Sequence, residues 1–146
     1  MKIVLQNVLQ ANVSIDGQTV AKIDKGFLLL VSFTYGDNFE KCSRLAQKIS
    51  KLRVFPDESG KTNCSIFDIN GSILSVSQFT IYADVKKGNR PSFTNCLNPD
   101  EAIKLFNYFN EELRACGLTV KTGIFGADMK VSLVNDGPFT LVLDSE

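Results

Sequence analysis

Only two stretches of this chain carry a helical period. Almost everything around them alternates between apolar and polar residues, and that imbalance limits the folds open to it. The second helix is bounded on both sides. Asn98 stands as N-cap, Pro99 at the first helical position, Glu101 at the third, and Gly117 closes the segment. Ala102, Leu105, Phe106, Phe109, Leu113 and Cys116 recur along it at spacings of three and four, which predicts one buried stripe. A first helix is expected after Asp37, which with Glu40 reads as a capping box, and Phe39, Cys42, Leu45, Ala46, Ile49 and Leu52 fall on its inner face. Two one-striped helices need a sheet to cover.

The sheet is written in short runs. Lys2–Leu5 and Ala11–Ile15 alternate, Asp16-Gly17 supplies the positive-φ pair of a tight hairpin, and Gln18–Ile23 returns. Phe27–Phe33 reads as the longest apolar run, as in a strand buried on both faces. Leu52–Phe55 leads into the polar turn Asp57–Lys61, and Asn70-Gly71 is expected to close a hairpin between Ser65–Ile69 and Ser72–Ser77. Three strands finish the chain: Thr119–Ile124, Met129–Asn135 and Phe139–Leu143. The expected fold is α+β, a single domain over residues 1–146 whose antiparallel-rich sheet curls into a barrel or sandwich under two main helices.

Composition removes several kinds of chemistry. The chain has no histidine, so neither a Ser-His-Asp nor a Cys-His relay can operate, and the commonest metal ligand is missing. Cys42, Cys64, Cys96 and Cys116 form no CxxC pair and are expected as buried, reduced thiols, with no metal site and no cofactor. Lys+Arg and Asp+Glu both number 16. Such a balance exerts no global pull on polyanions, so nucleic acid would have to be held by a local patch or by shape. No signal-peptide pattern follows Met1, and Phe27–Phe33 is far too short to cross a bilayer; a cytoplasmic protein without a membrane partner is expected.

Four segments are candidates for chemistry. Leu74-Ser75-Val76 feeds into Ser77-Gln78-Phe79-Thr80. A strand ending in a polar turn leaves backbone N–H groups that can receive an oxyanion; the same residues also suit an ordinary half-buried strand. Asn135-Asp136-Gly137-Pro138 reads either as a plain turn between the last two strands or as a rigid loop with exposed carbonyls and no side chain at Gly137 to obstruct a ligand. Lys86, Lys87 and Arg90, ahead of Phe93, are either a solvated loop or a grip for phosphates beside a stacking ring. The Thr122–Met129 segment has two glycines but lacks the strand–glycine loop–helix setting of a nucleotide site.

Taken together, Ser77-Gln78-Phe79-Thr80, Gly88-Asn89-Arg90-Pro91-Ser92-Phe93, Phe125-Gly126-Ala127-Asp128-Met129 and Asn135-Asp136-Gly137-Pro138 resemble the D-aminoacyl-tRNA deacylase family. They stand in that family's order and spacing over essentially the whole chain, with Leu52–Phe55 and Gly60–Asn63 in support. The resemblance implies a homodimer that hydrolyses the ester between a D-amino acid, or glycine, and the 3′ end of a tRNA. A cis Gly137-Pro138 pair would reach into the partner subunit's site, where its carbonyls leave no room for an L side chain. N–H groups around Phe79 and Thr80 would hold the oxyanion, Ser77 and Gln78 would support the geometry, and the terminal 2′-hydroxyl of the tRNA would help to activate water. Met129 and Phe93 would line the adenosine pocket, with Lys86, Lys87 and Arg90 on phosphates. Phe139, Cys64 and Pro56 depart from the family's usual choices. Two other readings stand beside it: a nucleic-acid-binding module, and an esterase for small acyl esters with Thr80 as nucleophile.

Overall fold

The computed structural model describes residues 1–145. Its organising element is one long strand, β1 (Lys2–Ile15). Antiparallel β8 (Lys130–Asp144) lies along one edge of it, while β3 (Gly26–Ser32) and β2 (Gln18–Ile23) divide the other. The sequence had suggested two strands here. The apolar alternation lapses at Gln6-Asn7, yet the ladder continues, because Asn7 turns inward and donates to the Val54 carbonyl at 2.8 Å.

From β3 the sheet continues through β6 (Ser72–Ser77) to β7 (Thr119–Thr122), both parallel to β3. This overturns the hairpin expected at Asn70-Gly71. Asn70 does take the left-handed conformation, at φ 50°. However, β5 (Thr62–Ser65) pairs back onto β4 (Arg53–Pro56), and β6 enters the main sheet. Ile73, Leu74 and Val76 are all buried, and a strand buried on both faces belongs inside a sheet rather than in a surface hairpin. Antiparallel ladders still outnumber parallel ones.

The sheet curls until β2 packs against β6 and β7, and Val8, Val13, Ile23, Leu28, Leu74 and Val76 fill its inside. The outer face is covered by α1 (Phe39–Lys51) and α2 (Pro99–Ala115), with Phe27, Phe55, Ile73, Phe106 and Phe109 between the layers. The α2 boundaries are those expected: Asn98 caps through its side chain to the Glu101 N–H at 3.0 Å, and Gly117 follows at φ 92°. Its stripe is buried except for half-exposed Cys116.

At α1 the expected cap is corrected. Asn38 accepts the Lys41 N–H at 3.0 Å, whereas Asp37 accepts the Thr34 N–H and pairs with the Met1 amino group. Phe39 is exposed, its ring against Tyr108 rather than in the core. Of the four cysteines only Cys42 is buried, and all four are free thiols. Among the described residues no helix is long and apolar enough to cross a membrane.

The last two expected strands are one. β8 runs through Gly137-Pro138, whose peptide bond is cis, and bulges there: Asn135 stands opposite Val8 and Thr140 opposite Gln6. Asn135 Nδ2 closes the bulge by donating to the carbonyls of Asn7 (2.9 Å) and Phe139 (3.0 Å). Proline fits because β8 pairs only with β1, and a strand edge or a bulge does not need its missing N–H.

Candidate active site at the ends of the parallel strands

Because β3, β6 and β7 are parallel, their carboxyl ends gather on one side of the sheet, and the segments leaving them enclose a cavity of about 600 Å³. Its walls are Val31–Phe33 from β3, Val76–Phe79 from β6, Phe93 and Cys96–Pro99 ahead of α2, and Phe125–Met129 between β7 and β8. Ligand sites of parallel strands commonly form at such ends.

At Ser77–Thr80 the strand ends in a turn, as the sequence suggested. Gln78 N–H donates to the Val31 carbonyl at 2.8 Å, which ends the strand, and Phe79–Tyr82 then make a single 3₁₀ turn. Ile81 N–H ties back to the Gln78 carbonyl at 3.3 Å. The geometry of such a turn gives the N–H groups of Phe79 and Thr80 no partner inside it. Phe79 lines the cavity and Thr80 follows it in the chain, so two backbone N–H groups that the turn does not use belong to this segment; such a pair can stabilise a developing oxyanion.

The Thr80 hydroxyl is exposed and accepts from Gln78 Nε2 at 2.5 Å. An amide N–H on that oxygen is a donor, which cannot take its proton. The ring of Phe79 is 57% exposed and meets Phe93 edge-on at 5.2 Å, so the two aromatics form one rim. Met129 also lines the cavity, with its sulfur over Gly123. Asp128 brings a carboxylate to the wall, where Lys130 Nζ pairs with it at 2.9 Å. The N-terminus of α2 also opens here, through Asn98 and Pro99, and its dipole favours negative charge on a bound group.

Of the residues singled out from sequence, Ser77, Gln78, Phe79, Phe93 and Met129 share this cavity; Thr80 does not line it but follows Phe79 directly in the 3₁₀ turn. Lys86, Lys87 and Arg90 do not line it. They project from an exposed loop that the Asp84–Ser92 bridge closes at its base, beside Phe93. Gly137 and Pro138 lie outside too: their bulge is opposite Asn7, six residues along β1 from Val13, which faces the wall residue Val131, and four from Ile3, which faces the wall residue Val31.

Sequence reasoning missed Ser32 and Cys96. Both donate to the Phe79 carbonyl, at 3.2 and 3.3 Å. Burial raises the Cys96 thiol above its ordinary value, which keeps it a protonated donor at neutral pH. Ser32 was concealed within the Phe27–Phe33 run, although a hydroxyl inside such an apolar strand is itself a signal of a polar neighbour.

Residues 4–144 match the D-Tyr-tRNA(Tyr) deacylase family. A D-aminoacyl-tRNA deacylase of Lactobacillus delbrueckii subsp. bulgaricus is 57% identical over 144 residues, 99% of each chain. One of Bacillus cytotoxicus is 51% identical over 146 residues, the whole of both. A solved structure described as a c-Myc DNA unwinding element binding protein superposes with a TM-score of 0.92 at 39% identity, covering 100% of this chain and 99% of the other. Another, described as a probable eukaryotic D-amino acid tRNA deacylase, gives 0.86 at 16% identity over 97% of each, a likeness of fold alone. With nearly every residue matched and two relatives more than half identical, the chain belongs to the D-Tyr-tRNA(Tyr) deacylase family, whose members are hydrolases.

Proposed function

We propose that the protein, as one unit over residues 1–146, hydrolyses the ester of D-aminoacyl-tRNA, and of glycyl-tRNA, to free amino acid and tRNA in the cytoplasm. One feature supports this reading above the others: Phe79 lines an apolar cavity large enough for the terminal adenosine and its amino acid, in a turn that leaves the N–H groups of Phe79 and Thr80 unused. Water adds to the ester carbonyl, the oxyanion rests on those two N–H groups, and the ribose 3′-oxygen departs. The neighbouring 2′-hydroxyl of the tRNA assists the water, since the chain has no histidine to do so. Ser77 and Gln78 hold the turn in place, Phe93 and Met129 hold the adenosine, and Lys86, Lys87 and Arg90 meet phosphates of the acceptor end.

The chiral filter, in this reading, is supplied in trans. Gly137 and Pro138 are exposed and do not line their own cavity, and among the described residues β8 pairs with β1 alone, with Val134 and Val142 exposed. Those features support a homodimer in which each Gly137-Pro138 pair enters the other protomer's cavity and excludes an L side chain with main chain. The direct test follows ester loss from D-tyrosyl-tRNA beside Thr80→Ala. Retained turnover in the variant supports attack by water. A trapped acyl group on Thr80, with the variant dead, would favour the covalent esterase instead.

A second reading, duplex DNA binding, draws on the description of the relative at 39% identity. Zero formal charge weighs against it. A salt-steep affinity for duplex DNA would favour it.

A further inference from the structure

We propose that Ser32 and Cys96 are positioning residues for the reaction: by holding the carbonyl of Phe79 they aim the N–H of Thr80 into the cavity. The inference rests on the reading of that N–H as an oxyanion donor. A trans peptide is planar, so the carbonyl of one residue and the N–H of the next point in opposite directions. Fixing the Phe79 carbonyl therefore fixes the Thr80 N–H, with no contact to the donor itself.

The two anchors come from separate, well-held elements. Ser32 is the last residue of β3 and only 1% exposed, so its hydroxyl is spent within the protein. Cys96 belongs to a segment bound along the continuation of that strand. Leu97 N–H donates to the Phe33 carbonyl at 3.0 Å, and the Thr34 hydroxyl donates to the Asn95 carbonyl at 2.6 Å. The anchored peptide, in contrast, sits in a single 3₁₀ turn, whose own hydrogen bonds are poor. If that peptide rotated, a carbonyl would face the substrate where a donor is needed. Two convergent donors on one oxygen oppose the rotation. Neither touches the reacting atoms.

The test compares Ser32→Ala, Cys96→Ala, the double variant and Cys96→Ser, each with two readouts: the Thr80 amide by NMR, and kcat and KM on D-tyrosyl-tRNA. Each single alanine variant is expected to lower kcat about five-fold, and the double variant about thirty-fold, with KM unchanged. In parallel the Thr80 amide signal broadens or shifts. Cys96→Ser, which restores a donor, recovers most of what Cys96→Ala loses. A folded double variant with an unaltered Thr80 amide and unaltered kcat overturns the proposal, as does a change confined to KM. If the parent protein leaves D-tyrosyl-tRNA intact, the deacylase reading falls, and the Thr80 amide alone decides whether the pair holds this peptide.

Discussion

Cys42 is fully buried between α1 and α2, its Sγ 3.8 Å from the Leu105 carbonyl. Burial, reinforced by the carboxylate of Asp37, pushes its thiol from 9.0 up to about 12. The consequence for stability has a definite sign. Above the unfolded value the unfolded chain releases this proton and the folded chain keeps it, so folding weakens as pH rises from 9.0 towards 12, by at most about 1.4 kcal/mol per pH unit. Cys42→Ala will be less stable at neutral pH, having lost packing, but its stability will fall less steeply above pH 9.0. Urea unfolding of both proteins across that range checks this, and parallel curves would contradict it. Residue roles were the least legible feature in the sequence. Asp37 and Asn38 are adjacent and both suit a helix cap. What separates them is the Met1 amino group, which claims Asp37 from the far end of a folded strand.

At the scale of elements, the approach of β3 to β6 depends on Gly26. A Cβ built there would lie 1.8 Å from the Ser72 carbonyl oxygen, and φ is +155°. Gly26→Ala must force the two backbones apart, a cost of about 3 kcal/mol, seen as a fall in Tm of roughly 10 °C. An unchanged Tm would refute the close approach. The bulge in β8 depends likewise on Asn135, whose two hydrogen bonds tie it to β1 and to itself. Asn135→Ala is expected to lose about 1–3 kcal/mol of stability. It should also weaken discrimination between D- and L-tyrosyl-tRNA more than it slows the D substrate, which parallel ester-loss assays will read. α2 was legible because its signals are local: cap, proline, stripe and glycine all act within one helix. The expected hairpin at Asn70-Gly71 failed because turn chemistry fixes a reversal and leaves open which strands then pair. Burial of both faces of β6 decided that, and it depends on residues distant in sequence.

For the whole molecule, the candidate site was legible where side chains advertise chemistry and hidden where backbone and apolar walls do the positioning. Ser77, Gln78, Phe79, Phe93 and Met129 were found in sequence and line one cavity in the fold. Val31, Phe33, Leu97 and Phe125 look like ordinary core residues, and only the curl of the sheet turns them into the walls of a cavity. Gly137-Pro138 is the reverse case: its sequence is conspicuous, yet it does not line the cavity of its own chain. The proposed function, with donors in one subunit and a main-chain filter from another, makes a sharp demand. Discrimination should be separable from catalysis. The measurement that tests this most directly follows ester loss from matched D- and L-tyrosyl-tRNA with the parent protein and with Gly137→Val, whose Cβ meets the Phe139 nitrogen at 3.1 Å at a φ that disfavours any side chain. The account predicts rapid hydrolysis of the D ester only by the parent, and impaired hydrolysis with eroded preference in the variant. Equal cleavage of both esters by the parent would contradict it.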